Sequence, residues 1–270
     1  MTELCSAARV IKTISTGDVG VLGVTSVDDE LFVLLDRDSD QVAVYSVNDY
    51  RLLRHLSLPG LERNSDIDLT SCVRHRCLYA SDYGNKCVHR YDLASSAMSK
   101  WSVPGSPFGL SVTPSANLLV ACHLPQKLVE LSADSGQCVR EIALQSDIKY
   151  SRHAVQLTTG QYVVCHGGSH LHRVCIVDDD GRVNRSYGGQ QSGSGVGQLK
   201  EPFHLAVDED SQFVFVADSD NDRVVVLSPT LEFVRYISER LSRPCQLHFE
   251  NATTRLYVCQ SRDDIVVIQL

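Results

Sequence analysis

Several groupings in this 270-residue chain have residue types that could do chemistry. Cys165, His166, His170, His172 and Cys175 fall within one short stretch, and thiolate with neutral imidazole is the donor chemistry of zinc. The run Cys165-His166-Gly167-Gly168-Ser169-His170-Leu171-His172-Arg173-Val174-Cys175 lacks paired CxxC and HxxxH spacing. It therefore reads as one long surface turn between two strands. Asp36, Asp38 and Asp40, and again Asp218, Asp220 and Asp222, alternate like the start of a calcium loop. The sixth position holds Gln41 or Arg223 instead of Gly, and the twelfth holds Val47 or Pro229 instead of Glu, so an EF-hand is rejected. These Asp residues are expected to hydrogen-bond their own turns. No Ser/His/Asp or Cys/His order marks a nucleophile, and no catalytic residue is assigned.

The elements that would position such groups follow from composition and repetition. Net charge is −8, and 43% of residues are hydrophobic. Val outnumbers Ala 33 to 14, which leans to strands. The acidic balance disfavours a nucleic-acid-coating protein. No apolar run nears the ~18–20 residues of a membrane helix, and Met1-Thr2-Glu3-Leu4-Cys5 does not resemble a secretion signal. The ten Cys, several inside apolar runs such as Val163-Val164-Cys165, read as buried free thiols of a cytoplasmic, reducing setting.

One unit recurs along the whole chain. Phe213-Val214-Phe215-Val216-Ala217-Asp218, a polar turn, then Val224-Val225-Val226 reads as strand, turn, strand. The second strands of equivalent pairs carry Val42, Val88, Val129, Val174, Val224 and Val266, spaced 41 to 50 residues apart. Before each pair stands an inner-strand marker: Gly23-Val24, Asp68-Leu69, Gly109-Leu110, His153-Ala154, His204-Leu205 and Gln246-Leu247. An alternating outer-strand marker such as Leu53-Arg54-His55-Leu56 or Val234-Arg235-Tyr236-Ile237 follows. About 45 residues and four strands per unit specify an all-β, six-bladed β-propeller occupying residues 1–270 as one domain. The first outer-strand marker, Ile11-Lys12-Thr13-Ile14, precedes every other strand, and the last unit ends without one. Residues 9–15 should therefore complete the sixth blade and close the ring.

Pro202-Phe203-His204-Leu205-Ala206-Val207-Asp208 followed by Phe215-Val216-Ala217-Asp218-Ser219-Asp220-Asn221-Asp222-Arg223-Val224 closely resembles the NHL repeat. The Gly-rich Gly193-Ser194-Gly195-Val196-Gly197 before it resembles the lead-in to such a repeat. Blade five matches best. Blades three, four and six carry His123, His166 and Gln260 where the turn Asp belongs. The resemblance implies the substrate-recognition propeller of tripartite-motif ubiquitin ligases, which binds proteins or RNA. It also implies, as alternatives, a metal-dependent hydrolase or lyase. No RING, B-box or coiled coil is read in this chain, so ligase chemistry is not expected of it as it stands.

The residues just before each inner-strand marker should ring the channel mouth: Leu22, Ile67, Phe108, Arg152, Phe203 and Cys245. Phe108, Arg152 and Phe203, with the turn residues Tyr83 and Arg223, are the expected partner-binding set. In amidating lyases of similar fold, zinc is held by His directly after the Pro of this motif; here those positions hold Phe108, Phe203 and Cys245. His153 and His204 come one residue later, and alternation should turn them to the other side of the strand. No metal and no cofactor are therefore expected. The turns on the mouth face carry three more acidic than basic residues. The expected partner is a protein with basic or mixed groups, with RNA disfavoured, no membrane, and a non-catalytic scaffold role.

Overall fold

The computed structural model describes residues 8–17, 19–36, 41–61, 67–167, 171–189, 191–238, 241–261 and 264–270. It is a ring of six four-stranded antiparallel sheets. Strand β1 (Arg9–Ser15) comes first. Blade one is β2 (Val21–Val27), β3 (Glu30–Leu35), β4 (Gln41–Ser46) and β5 (Leu52–Ser57). Blade two is β6 (Leu69–Cys72), β7 (Cys77–Asp82), β8 (Cys87–Asp92) and β9 (Met98–Ser102). Blade three is β10 (Ser106–Val112), β11 (Leu118–Leu124), β12 (Lys127–Leu131) and β13 (Cys138–Ala143). Blade four is β14 (Ser151–Gln156), β15 (Tyr162–His166), β16 (His172–Val177) and β17 (Val183–Gly189). Blade five is β18 (Pro202–Val207), β19 (Val214–Asp218), β20 (Arg223–Leu227) and β21 (Phe233–Ile237). Blade six is β22 (Pro244–Glu250), β23 (Arg255–Gln260) and β24 (Asp264–Gln269), completed by β1.

The closure expected from the displaced marker is present: β1 pairs antiparallel with β24, from Arg9 opposite Gln269 to Ser15 opposite Asp264. Ile14 is buried by this pairing, so the outer edge of β24 is not left bare.

The middle strands are apolar on both faces because each blade is covered on both sides. Phe32 and Leu34 of β3 pack on Leu78 and Ala80 of blade two. The alternate residues Leu31 and Val33 pack on Tyr257 and Cys259 of blade six. Side chains alternate across a strand, so one run serves two interfaces. Equivalent clusters fill the other junctions, for instance Val163, Cys165, Val214 and Val216 between blades four and five. Each such residue contributes about 1.5–3 kcal/mol by burial. The outer strands alternate or lie exposed, as in β13, where Ile142 alone is buried. Among the described residues no helix is long and apolar enough to cross a membrane.

Candidate functional site: the channel mouth and the septum beneath it

The inner strands carry a shared irregularity that decides what lines the channel. In β10, Pro107 faces Cys122 and Gly109 faces Ala121, leaving Phe108 without a partner. The same slip leaves out Leu22 in β2, Arg152 in β14 and Cys245 in β22. In β18 it spans Phe203 and His204. These are β-bulges, in which two consecutive residues oppose one on the neighbouring strand and strict alternation of faces is lost. The extra residue and the one after it both reach the channel. The six residues expected at the mouth do ring it, together lining a cavity of about 410 Å³.

Four of the five expected partner-binding residues meet there. Phe108 and Phe203 cross blades edge to face, ring centroids 6.0 Å apart. The Arg152 guanidinium lies 5.1 Å from the Phe108 ring centroid and 5.0 Å from that of Phe203. Tyr83 meets Phe108 edge-on at 6.5 Å. His123 extends the cluster, 5.7 Å from Phe108 and 5.2 Å from Tyr150. Tyr150 and Leu124 are exposed beside it, at 40% and 51%. Sequence reasoning reads His123 only as a substitute for the turn Asp, the position of Asp82 and Asp218 in other blades, and misses Tyr150. Arg223 is not brought to this cluster. It is buried, its Nε donates to Asp218 Oδ2 at 2.7 Å, and its Nη atoms donate to the carbonyls of Ser194 and Gln198. Its guanidinium also stacks 3.9 Å over the Tyr236 ring, so it ties the Gly-rich lead-in to blade five. Of the mouth-face turn residues, Arg37, Asp38, Asp40, Arg262 and Asp263 lie outside the described residues.

Below the mouth the bulges overturn the expectation that His153 and His204 turn away from the channel. Their rings lie against each other, tilted by 30°, with centroids 3.7 Å apart. They face Asp68, His204 Nε2 at 3.4 Å from Oδ1 and His153 Nε2 at 3.7 Å from Oδ2. Gln246 donates from Nε2 to Asp68 and accepts the Val24 N–H at 2.5 Å. The corresponding residues of blades one and three are Gly23 and Gly109. A Cβ at Gly109 would lie 2.4 Å from the Arg152 carbonyl and 2.7 Å from His153 Cα. Two glycines thus make room for four polar side chains. This layer forms a septum between the mouth cavity and a second cavity of about 820 Å³ at the other end, which His153 and His204 also line.

The septum's electrostatics follow from its burial. Burial pushes the Asp68 carboxyl up, but His204, His153 and the Leu110 N–H at 2.6 Å outweigh it and hold it below the usual range. Burial, then His204, pushes His153 down to about 3. His248, one layer further in and hydrogen-bonded to Ser26 Oγ at 2.7 Å, is pushed down to about 4, again by burial first.

Asp68, His153 and His204 offer ligand atoms within 4.8 Å of one another, the spacing of a metal's ligand set. Their lone pairs do not fit that use. His153 Nε2 lies 2.9 Å from the Leu110 carbonyl, so it carries the proton and donates. His204 Nδ1 accepts the Leu247 N–H at 3.3 Å, so its proton sits on Nε2, the atom facing Asp68. Asp68 already accepts from Leu69 N–H at 2.9 Å, Leu110 N–H and Gln246. A cation here would need both imidazoles to change tautomer and forfeit these bonds.

The remaining clusters are structural. Asp82, Cys87 and His89 also converge, but His89 Nε2 serves both Asp82 at 3.0 Å and Cys87 at 3.7 Å. Burial and then Asp82 push the Cys87 thiol up to about 11, away from thiolate. In the Cys165–Cys175 run, His170 lies outside the described residues. Burial raises both thiols to about 12, and His166 Nε2 accepts from Arg173 Nε at 2.8 Å. The nine described cysteines are all free.

No family model matches the chain, and no curated protein sequence matches it. Many solved structures do. Virginiamycin B lyase from Staphylococcus aureus is similar with a TM-score of 0.68 at 10% identity, covering 98% of this chain and 100% of the lyase. Hydrazine synthase from Kuenenia stuttgartiensis is similar with a TM-score of 0.67 at 13% identity, covering 95% of this chain and 97% of that one. Identities this low carry the fold and not the function: this chain is a six-bladed, four-stranded β-propeller with propeller enzymes among its structural neighbours.

Proposed function

We propose that this propeller is a non-catalytic binding module that docks a protein partner on its channel mouth. The observation that carries this reading is the joining of Tyr83, Phe108, Arg152 and Phe203 into one cluster around an open cavity of about 410 Å³. Aromatic and Arg side chains bury much area at little entropic cost and are the usual anchors of interfaces. The exposed Tyr150 and Leu124 beside them enlarge the apolar surface a partner would cover. The NHL resemblance of blade five would make such a module the substrate-recognition part of a larger ligase-type protein in the cytoplasm. The test is the double substitution Phe203→Asp with Arg152→Glu. The variant should keep the wild-type circular dichroism and lose a partner that the wild-type domain retains; a folded double variant that still binds would refute the mouth as the site.

A second reading, a metal-dependent hydrolase or lyase, draws on the convergence of Asp68, His153 and His204. The tautomers fixed by Leu110 and Leu247 argue against it. Stoichiometric zinc or calcium in the purified chain would favour it over docking.

A further inference from the structure

Apart from the exposed Arg51, the other described arginines that approach acids hydrogen-bond within the protein. Arg54 forks onto Glu30, Arg140 reaches Glu130 and Asp179, Arg173 reaches Asp147, and Arg223 reaches Asp218. Arg152 differs. Its side chain is only 23% exposed, yet the guanidinium makes no hydrogen bond to another described residue, and its buried Nε–H has no partner. Glu201 Oε2 approaches Nη2 only to 3.8 Å, near enough to be felt as a charge and too far for a hydrogen bond. The fork is nevertheless held in place by two phenyl faces, Phe108 and Phe203. An oriented guanidinium with unused donors, on the wall of a cavity that also carries Leu22, Ile67, Phe108 and Phe203 beside Asp36 and Glu201, is a receptor for a planar, doubly accepting anion.

Pairing offsets part of the negative charge around it. The sequence tally of the mouth-face turns is negative, but two of the acids described there are ion-paired within the protein, Asp218 with Arg223 and Asp220 with Arg243 at 3.2 Å, and Asp82 is buried in hydrogen bonds with His89 and Asn85, whereas Asp36 on the cavity wall, Asp222 and Asp264 have no ion pair to another described residue. Asp147, close by, is held by Arg173 at 2.5 Å. Lys86 in the turn of Tyr83, and Lys149 next to Tyr150, are exposed.

Resting on the docking reading above, we infer that Arg152 recognises a carboxylate of the partner protein, from an Asp, a Glu or a chain terminus, while an adjoining apolar side chain enters the cavity between Phe108, Phe203 and Ile67. This replaces the partner with basic or mixed groups expected from the sequence with an acidic and apolar one.

The test is an NMR titration of the full chain with four small probes: N-acetylphenylalanine, its amide, phenethylammonium and phenyl phosphate. The account expects the carboxylate to bind about tenfold more tightly than the amide, the increment of a charge-assisted fork. Arg152→Gln should erase that difference while leaving amide binding in place, and Arg152→Lys should keep part of it. Should Arg152→Gln fold poorly, the carboxylate-to-amide ratio on the wild-type chain still decides. Equal binding of carboxylate and amide overturns carboxylate recognition and leaves docking at the mouth standing. A preference for phenethylammonium overturns it in favour of a basic partner, and a preference for phenyl phosphate overturns it in favour of a phosphate ligand. No probe perturbing the mouth at up to about 10 mM, together with intact partner binding by the Phe203→Asp/Arg152→Glu variant, overturns both readings.

Discussion

Acid should dissolve this propeller's stability over a narrow interval, because three imidazoles are held neutral inside it. His153 is held at about 3, His248 at about 4 and His166 at about 4, in each case by burial first. An unfolded His titrates near 6.5. A lowered folded pKa means that the unfolded chain takes up protons first, so stability is fully present above about pH 6.5 and falls as pH drops towards 4. At pH 5 each imidazole costs about 2 kcal/mol relative to neutral pH, because the unfolded form has gained roughly 1.5 pH units of protonation that the folded form has not. Three sites together remove about 5–6 kcal/mol between pH 7 and 5, comparable to the whole stability of an ordinary domain. Asp68 adds nothing in this window. Its lowered pKa makes a contribution that is lost only as pH falls below the ordinary carboxylate range. The assay is urea unfolding at half-unit pH steps. Replacing His153 by Gln should lower stability at pH 7 by about 1–3 kcal/mol through its bond to Leu110, yet flatten the fall from pH 7 to 5 by about 2 kcal/mol. Equal unfolding free energies at pH 7 and pH 5 in the wild-type chain would refute the reasoning.

Three further perturbations follow from the packing. Deleting residues 1–16 bares the edge of β24 and removes buried Ile14, so at least about 3 kcal/mol should be lost and aggregation should rise; a truncated chain that melts like the full one would contradict the closure. Gly109→Ala drives a methyl to 2.4 Å from the Arg152 carbonyl and should cost about 2–4 kcal/mol, read by thermal denaturation, whereas Gly160→Ala, with nothing within 4 Å, meets only the strain of its own backbone. Arg223→Ala leaves Asp218 buried without its cation and frees the Gly-rich lead-in, so about 3–5 kcal/mol should be lost while the mouth keeps its probe affinities.

The architecture could be read from the chain because its cause is repetition. The Val-rich second strands, the inner markers and the early outer marker set blade count, strand order and closure, and β1 on β24 follows that order. The mouth was legible for the same reason: Leu22, Phe108, Arg152 and Cys245 occupy one repeat position. The septum was not, because a period-of-two rule assigns neighbours to opposite faces, and the bulges in the inner strands suspend that rule. The signal was present in the mix of residues at the marker position, where Gly23 and Gly109 alternate with Asp68, His153, His204 and Gln246. Small residues there make sense only if the large ones point inward. Arg223 was assigned to the mouth from its turn alone. Its capture by Asp218, Ser194 and Gln198 depends on a fold of the Gly-rich segment that the repeat pattern does not encode.

The claim that the mouth is the docking face is tested most directly by site-specific photocrosslinking of the full chain. A benzophenone side chain is placed at Tyr150 on the mouth, or at Val73, which is exposed by the cavity of the opposite end. The account predicts one protein adduct from position 150, none from position 73, and loss of the adduct when Phe203→Asp and Arg152→Glu are added to a chain that stays folded. An adduct formed from position 73 alone, and unchanged by that pair of substitutions, would contradict it.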